Sequence, residues 1–128
     1  MGAKAKISGS VVAGFPSPAE QYLEPPLDLN EFLVKHPAAT YFVRVQGDSM
    51  IGKGIHDGDL LVVDRSIDPS DGDVVIAAID GEFTVKTLRI KAGKVALQPA
   101  NDNYPLIVLK GATELQLFGK VTAVIHRL

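Results

Sequence analysis

The chain has 128 residues, 46% hydrophobic and 22% charged, which suits one globular domain with a single core. It contains no cysteine; this removes disulfides, thiolate metal sites and cysteine nucleophiles together and fits a reducing, cytoplasmic setting. Lys and Arg number 13 against 15 Asp and Glu, a net charge of −2, so no basic footprint for direct nucleic-acid binding is present; no apolar run approaches the roughly 20 residues of a membrane span.

Residues 1–26 hold Gly2, Gly9, Gly14, Pro16, Pro18, Pro25 and Pro26, spaced too closely for a helix or a long strand. They read as a flexible arm, separate from a domain over 27–128. Pro16 and Pro18 bias Phe15 and Ser17 toward extended backbone, the form a protease cleft accepts. At Asp28 the pattern changes. Leu29, Phe32 and Leu33 recur at helical spacing, Asp28 can cap, and Glu31 follows as in a capping box, so one short helix is predicted before Pro37. β-branched and aromatic runs follow at Tyr41–Gln46, Leu60–Asp64, Asp73–Ile79, Glu82–Ile90, Lys94–Gln98, Leu106–Leu109 and Leu117–His126, about seven strands. Turn signals at His56-Asp57-Gly58-Asp59, Asp71-Gly72-Asp73, Asp80-Gly81 and Ala92-Gly93 separate them, Asp80-Gly81 being a strong hairpin signal. The fold class expected is mainly β, compact and barrel-like, with one short N-terminal helix and an extended arm.

Ser49, in Gln46-Gly47-Asp48-Ser49-Met50 at a strand-to-loop junction, can present its hydroxyl in a cleft. A serine hydroxyl is a poor nucleophile until a neighbour accepts its proton, and histidine is the usual acceptor. His36 precedes a proline, His56 lies in an Asp-Gly-Asp turn and His126 is close to Leu128; each reads as a surface or capping residue. His56, Asp57 and Asp59 offer ligands but no paired spacing that would hold a metal, so none is expected, nor any cofactor. Asp57 and Asp59 read as turn formers, and Met50 as a cleft wall. Lys86 interrupts the run Phe83-Thr84-Val85-Lys86-Thr87-Leu88. On a strand it shares a face with Thr84, Leu88 and Ile90, an apolar setting that would lower its pKa toward a neutral amine able to take a proton from Ser49. Taken by itself, a lone lysine in a strand is more often an edge residue whose ammonium reaches solvent.

Several motifs in order resemble the UmuD branch of the LexA-like serine-lysine peptidases. They are Gly14-Phe15-Pro16-Ser17-Pro18-Ala19, Leu27-Asp28-Leu29-Asn30, His36-Pro37, Ala39-Thr40-Tyr41-Phe42-Val43, Gly47-Asp48-Ser49-Met50, Gly58-Asp59-Leu60-Leu61-Val62-Val63-Asp64 and Asp80-Gly81-Glu82-Phe83-Thr84-Val85-Lys86. The resemblance implies a Ser49 nucleophile, a Lys86 base, an oxyanion hole from the backbone N–H groups of Ser49 and Asp48, and self-cleavage between Ala13 and Gly14. It implies stimulation by the RecA filament on single-stranded DNA in the SOS response, and a cleaved homodimer that joins a Y-family translesion DNA polymerase. The LexA-type helix-turn-helix domain has no counterpart here, so repression is not expected. A competing reading is a non-catalytic β-barrel adaptor that binds a polymerase or another protein.

Overall fold

The computed structural model describes residues 26–111 and 114–128. The chain divides into two units, one ending at Phe32 and the other running from Leu33 to Leu128. The expected arm with Ala13 and Gly14 lies outside the described residues.

Helix α1, Leu29–Leu33, starts where the capping signal places it: Asp28 Oδ1 accepts from the backbone N–H of Asn30 at 3.0 Å and of Glu31 at 3.4 Å. Its apolar Leu29 and Phe32 remain exposed. In the second unit, β1 (Thr40–Arg44), β2 (Leu60–Asp64), β3 (Val74–Ile79), β4 (Glu82–Lys91), β5 (Lys94–Gln98), β6 (Ile107–Val108) and β7 (Leu115–Ile125) form one antiparallel sheet in the order β1-β2-β7-β3-β4-β5-β6. Seven strands are thus formed where seven were predicted, with β7 beginning two residues earlier. Single 3₁₀ turns at Pro37–Ala39 and Ile51–Lys53 add to the expected elements. The two-residue turns Asp80-Gly81 and Ala92-Gly93 both have positive φ at each position, the geometry that matches the twist of the hairpins they close.

Alternation along the strands builds an apolar layer on each face. Val45, Met50, Ile55, Leu61, Val63, Ile76 and Val121 form one cluster; Val75, Ala77, Leu88 and Leu97 form the other. Central strand β7 carries one extra residue against each neighbour, Thr122 against β2 and Phe118 against β3, and such bulges bend and twist a sheet. The Phe118 carbonyl accepts from the Tyr41 hydroxyl at 2.6 Å, so β1 folds back over a strand that is not its neighbour. Beside that bulge Gly119 has φ +141, and a Cβ there would come within 2.7 Å of Val63 Cγ1 and 2.9 Å of the Asp64 carbonyl oxygen.

Buried Asp64 ends β2. Hydrogen bonds from the His36 imidazole at 2.6 Å and from the Ser66 hydroxyl hold its pKa down at about 2, against an ordinary 3.8. An unfolded chain binds more protons than the folded one between these values. The stability this carboxylate contributes is therefore complete above its unfolded pKa and is lost as pH falls toward about 2.

Two outcomes are expected. Gly119→Ala lowers the thermal midpoint by about 8 °C or more, since the added methyl meets backbone that cannot move aside. His36→Ala flattens the fall of the midpoint on acidification through the carboxylate range, read by thermal melts in a pH series; an unchanged slope would show that His36 does not hold Asp64 down.

Candidate active site

Beyond β1 the ladder with the β2 side continues for two more bonds: Val45 N–H donates to the Asp59 carbonyl and Gly58 N–H to the Val45 carbonyl, both at 2.8 Å. The chain then turns at Gly47, whose φ of +91 suits glycine and whose N–H donates to Asp57 Oδ1 at 2.7 Å. Met50 and Ile55 sink into the core and anchor the loop from below, so Met50 is a core residue and not the cleft wall expected of it. Between them Gly52 N–H donates to the Ala100 carbonyl at 2.7 Å. A Cβ on Gly52 would lie 2.7 Å from that oxygen, so the approach requires glycine.

The segment after β5 grips the other side of the loop. Ala100 N–H donates to the Ser49 carbonyl at 2.7 Å, the Asn101 side-chain amide to the Asp48 carbonyl at 3.0 Å, and the Tyr104 hydroxyl to Asp48 Oδ1 at 2.6 Å. The last of these raises the Tyr104 pKa, because the carboxylate acceptor favours the protonated phenol. Ser49 is held at its backbone while its side chain faces an open groove of about 400 Å³, lined among others by Gly47, Asp48, Ser49, Phe83, Lys86 and Tyr104. Among the described residues, the backbone N–H of Ser49 has no acceptor, while that of Asp48 is directed at the Tyr104 hydroxyl oxygen.

Lys86 comes from β4, opposite Val75 of β3 and in one period-2 set with Thr84 and Leu88. In a flat sheet β1 and β4 would stand four strand spacings apart, about 19 Å. The curl of the sheet and the loop after β1 close that gap: Lys86 Nζ lies 3.1 Å from Ser49 Oγ. The amine also contacts Thr84 Oγ1 at 2.6 Å and the Val85 carbonyl oxygen at 3.1 Å. Lys86 is 8% exposed and, among the described residues, has no carboxylate partner; burial lowers its pKa from the ordinary 10.5.

The two residues singled out for chemistry thus meet, and Asp48 stands beside them. Asn101, Tyr104 and the hydroxyl of Thr84 were not singled out. Thr84 alone had a sequence signal, its position two residues before Lys86 on the same strand face. The histidines do not reach Ser49: His36 binds Asp64, while His56 and His126 gather at Asp59. Asp59 accepts a backbone N–H of its own turn, that of His56, as expected of a turn former, whereas Asp57 reaches across to the N–H of Gly47 in the nucleophile loop.

A profile of the family described as Peptidase S24-like matches residues 6–122. The chain is 55% identical over 115 residues to Protein SamA of Salmonella typhimurium strain LT2, covering 90% of this chain and 79% of that one. It is 51% identical over 115 residues to Protein ImpA of Escherichia coli, covering 90% and 78%. It is 37% identical over 124 residues to a LexA repressor of an Anaeromyxobacter strain, covering 95% of this chain and 54% of that one.

Replacing Lys86 reads out the cost of its burial. With the folded pKa below the unfolded one, the unfolded chain binds more protons in the interval between them, so stability rises with pH there. Lys86→Met is expected to raise the thermal midpoint at neutral pH by a few degrees, with a gain that shrinks as pH climbs toward 10.5. Melts at a series of pH values check this; a midpoint that drops at neutral pH would mean the ammonium is stabilised in place.

Proposed function

This chain belongs to the Peptidase S24-like family, and on that footing we propose that it is a self-cleaving serine-lysine peptidase that cuts its own Ala13–Gly14 bond. The observation that carries the proposal is the 3.1 Å approach of a buried amine, free of carboxylate partners among the described residues, to a serine hydroxyl in an open groove.

The amine atoms can be counted. A neutral lysine has two N–H bonds and one lone pair. The Val85 carbonyl can only accept, and Thr84 Oγ1 at 2.6 Å accepts the second N–H, which leaves the lone pair for the Ser49 hydroxyl. Ser49 Oγ then attacks the Ala13 carbonyl carbon as its proton passes to Lys86. The carbonyl oxygen becomes an oxyanion, which the backbone N–H of Ser49 stabilises together with that of Asp48, the latter turning to it from the Tyr104 hydroxyl. As the intermediate collapses the C–N bond to Gly14 breaks, and Lys86 returns the proton to the departing amine. Water, deprotonated by Lys86, hydrolyses the Ala13 ester and restores Ser49. The small side chains of Ala13 and Gly14 let the scissile bond approach these donors closely.

The UmuD-like motifs extend the proposal to a role in SOS mutagenesis. Cleavage is stimulated by the RecA filament on single-stranded DNA in the cytoplasm. The product, residues 14–128, acts as a homodimer and as the accessory subunit of a Y-family translesion DNA polymerase. No helix among the described residues is long and apolar enough to cross a membrane.

Incubation of the purified protein at rising pH, followed by mass spectrometry, tests the chemistry. A fragment beginning at Gly14 is expected, formed faster as pH climbs through the lowered pKa of Lys86 and levelling off above it. Ser49→Ala abolishes it and Lys86→Ala slows it by about 10²–10⁴. RecA filaments accelerate cleavage of the parent protein. Cleavage that survives in Ser49→Ala, or no fragment at any pH with filaments present, overturns the reading and favours the adaptor.

A further inference from the structure

We infer that His56, Asp59 and His126 form a binding site for one divalent transition-metal ion of the zinc class, separate from the Ser49 groove. The chain has three histidines, and the fold brings two of them to a single buried carboxylate. Asp59 is 3% exposed; its Oδ1 lies 2.6 Å from His126 Nδ1, and its Oδ2 lies 3.6 Å from His56 Nδ1 while accepting the His56 backbone N–H at 2.7 Å. The imidazole centroids are 4.9 Å apart, and one ligand atom from each of the three residues lies within 4.8 Å of the others.

Donors bound tetrahedrally at 2.0–2.2 Å stand about 3.3 Å from one another. His126 Nδ1 stands 2.6 Å from Oδ1 and His56 Nδ1 3.6 Å from Oδ2 of the same carboxylate, so an ion enters by replacing the proton between His126 and Asp59, with a swing of the rings that brings both nitrogens to that separation from the ligating oxygen. Both rings are about half exposed, which opens a path for the ion and leaves a vertex for water. Their exposure also means that core packing does not account for two imidazoles here. Two nitrogens and one carboxylate oxygen suit zinc, cobalt or nickel; calcium and magnesium prefer all-oxygen sets. Asp59 immediately precedes β2, His126 immediately follows β7, and Leu60 pairs with Ile125, so the ion would staple the ends of two paired strands. His56 lies in the same turn as Asp57, which holds the Gly47 N–H at the start of the nucleophile loop.

Titration of the full-length, tag-free protein with Co²⁺ and then Zn²⁺ tests the site. One Co²⁺ per chain is expected to bind saturably with the intense visible bands of tetrahedral coordination, Zn²⁺ to displace it, and Zn²⁺ to raise the thermal midpoint. His56→Ala and His126→Ala each weaken binding by about tenfold or more. His126→Gln, which keeps a hydrogen-bonding side chain beside Asp59 without the imidazole, weakens it as well, and His36→Ala leaves it unchanged. No saturation at millimolar metal, binding that survives the His56 and His126 replacements, or binding that depends on His36 overturns the assignment.

Discussion

The structure depends on burying an amine in a protein wall without giving it an anionic partner among the described residues. Lys86 has neutral oxygens around its Nζ, from Ser49, Thr84 and Val85, and no carboxylate partner among the described residues. An ammonium buried this way loses its hydration without gaining an ion pair, so its pKa falls and the equilibrium moves toward the neutral form, the one that can accept a proton. The same arrangement is costly to folding at neutral pH, and the cost is met by packing elsewhere. Leu61, Val62 and Val63 of β2, Val75 and Ala77 of β3 and Leu88 and Leu97 of β4 and β5 are almost fully buried. The stability for an unfavourable residue comes from strands on both sides of it.

Holding Ser49 beside that amine is a problem of sheet shape. The strands that carry the two residues are not neighbours, and the bulges at Phe118 and Thr122 bend the central strand so that β1 and its loop come back over the sheet. Coarse curvature alone does not set a 3.1 Å contact. The final placement comes from short-range bonds on two sides: Asp57 to Gly47 from the turn before β2, and Ala100, Asn101 and Tyr104 from the segment after β5. Ser49 is thus fixed by its backbone, with its hydroxyl left to the groove.

What could be read from the sequence follows from the range of each interaction. Strand positions are local properties: β-branched runs and turn dipeptides such as Asp80-Gly81 place all seven. The exception at β7 has a local cause too, since Leu115-Gln116-Leu117 alternates weakly and follows the polar Glu114. Ser49 and Lys86 could be singled out because a serine at a strand end and a lysine within an apolar run are anomalies in their own neighbourhoods, although pairing them drew on the resemblance to a family. The partners of these residues are another matter. Tyr104 is 56 positions from Asp48, and His126 is 67 positions from Asp59; no periodicity connects such pairs. The histidines looked like unrelated surface residues because the carboxylates that gather them are supplied by topology. Met50 was misplaced for a similar reason, since only the closed loop shows that its side chain turns down into the core.

The charges of the fold are sorted by sign. Asp59 and Asp64 bracket β2 and are both buried, yet each is kept ionised by donors: Asp59 first by the His56 backbone N–H and then by His126, Asp64 by His36 and Ser66. Lys86, buried to a similar degree, is pushed toward neutrality because nothing anionic answers it. The distinction would fail if a carboxylate reached the groove, since a nearby negative charge would restore the ammonium and remove the base. Asp48 is the acid closest in sequence to Ser49, and it lines the same groove. Its Oδ1 is engaged by the Tyr104 hydroxyl at 2.6 Å and its carbonyl by Asn101, so the bonds that hold the nucleophile loop also tie that carboxylate to the segment after β5. Positioning the serine and sparing the lysine a counter-charge are accordingly two results of one set of contacts.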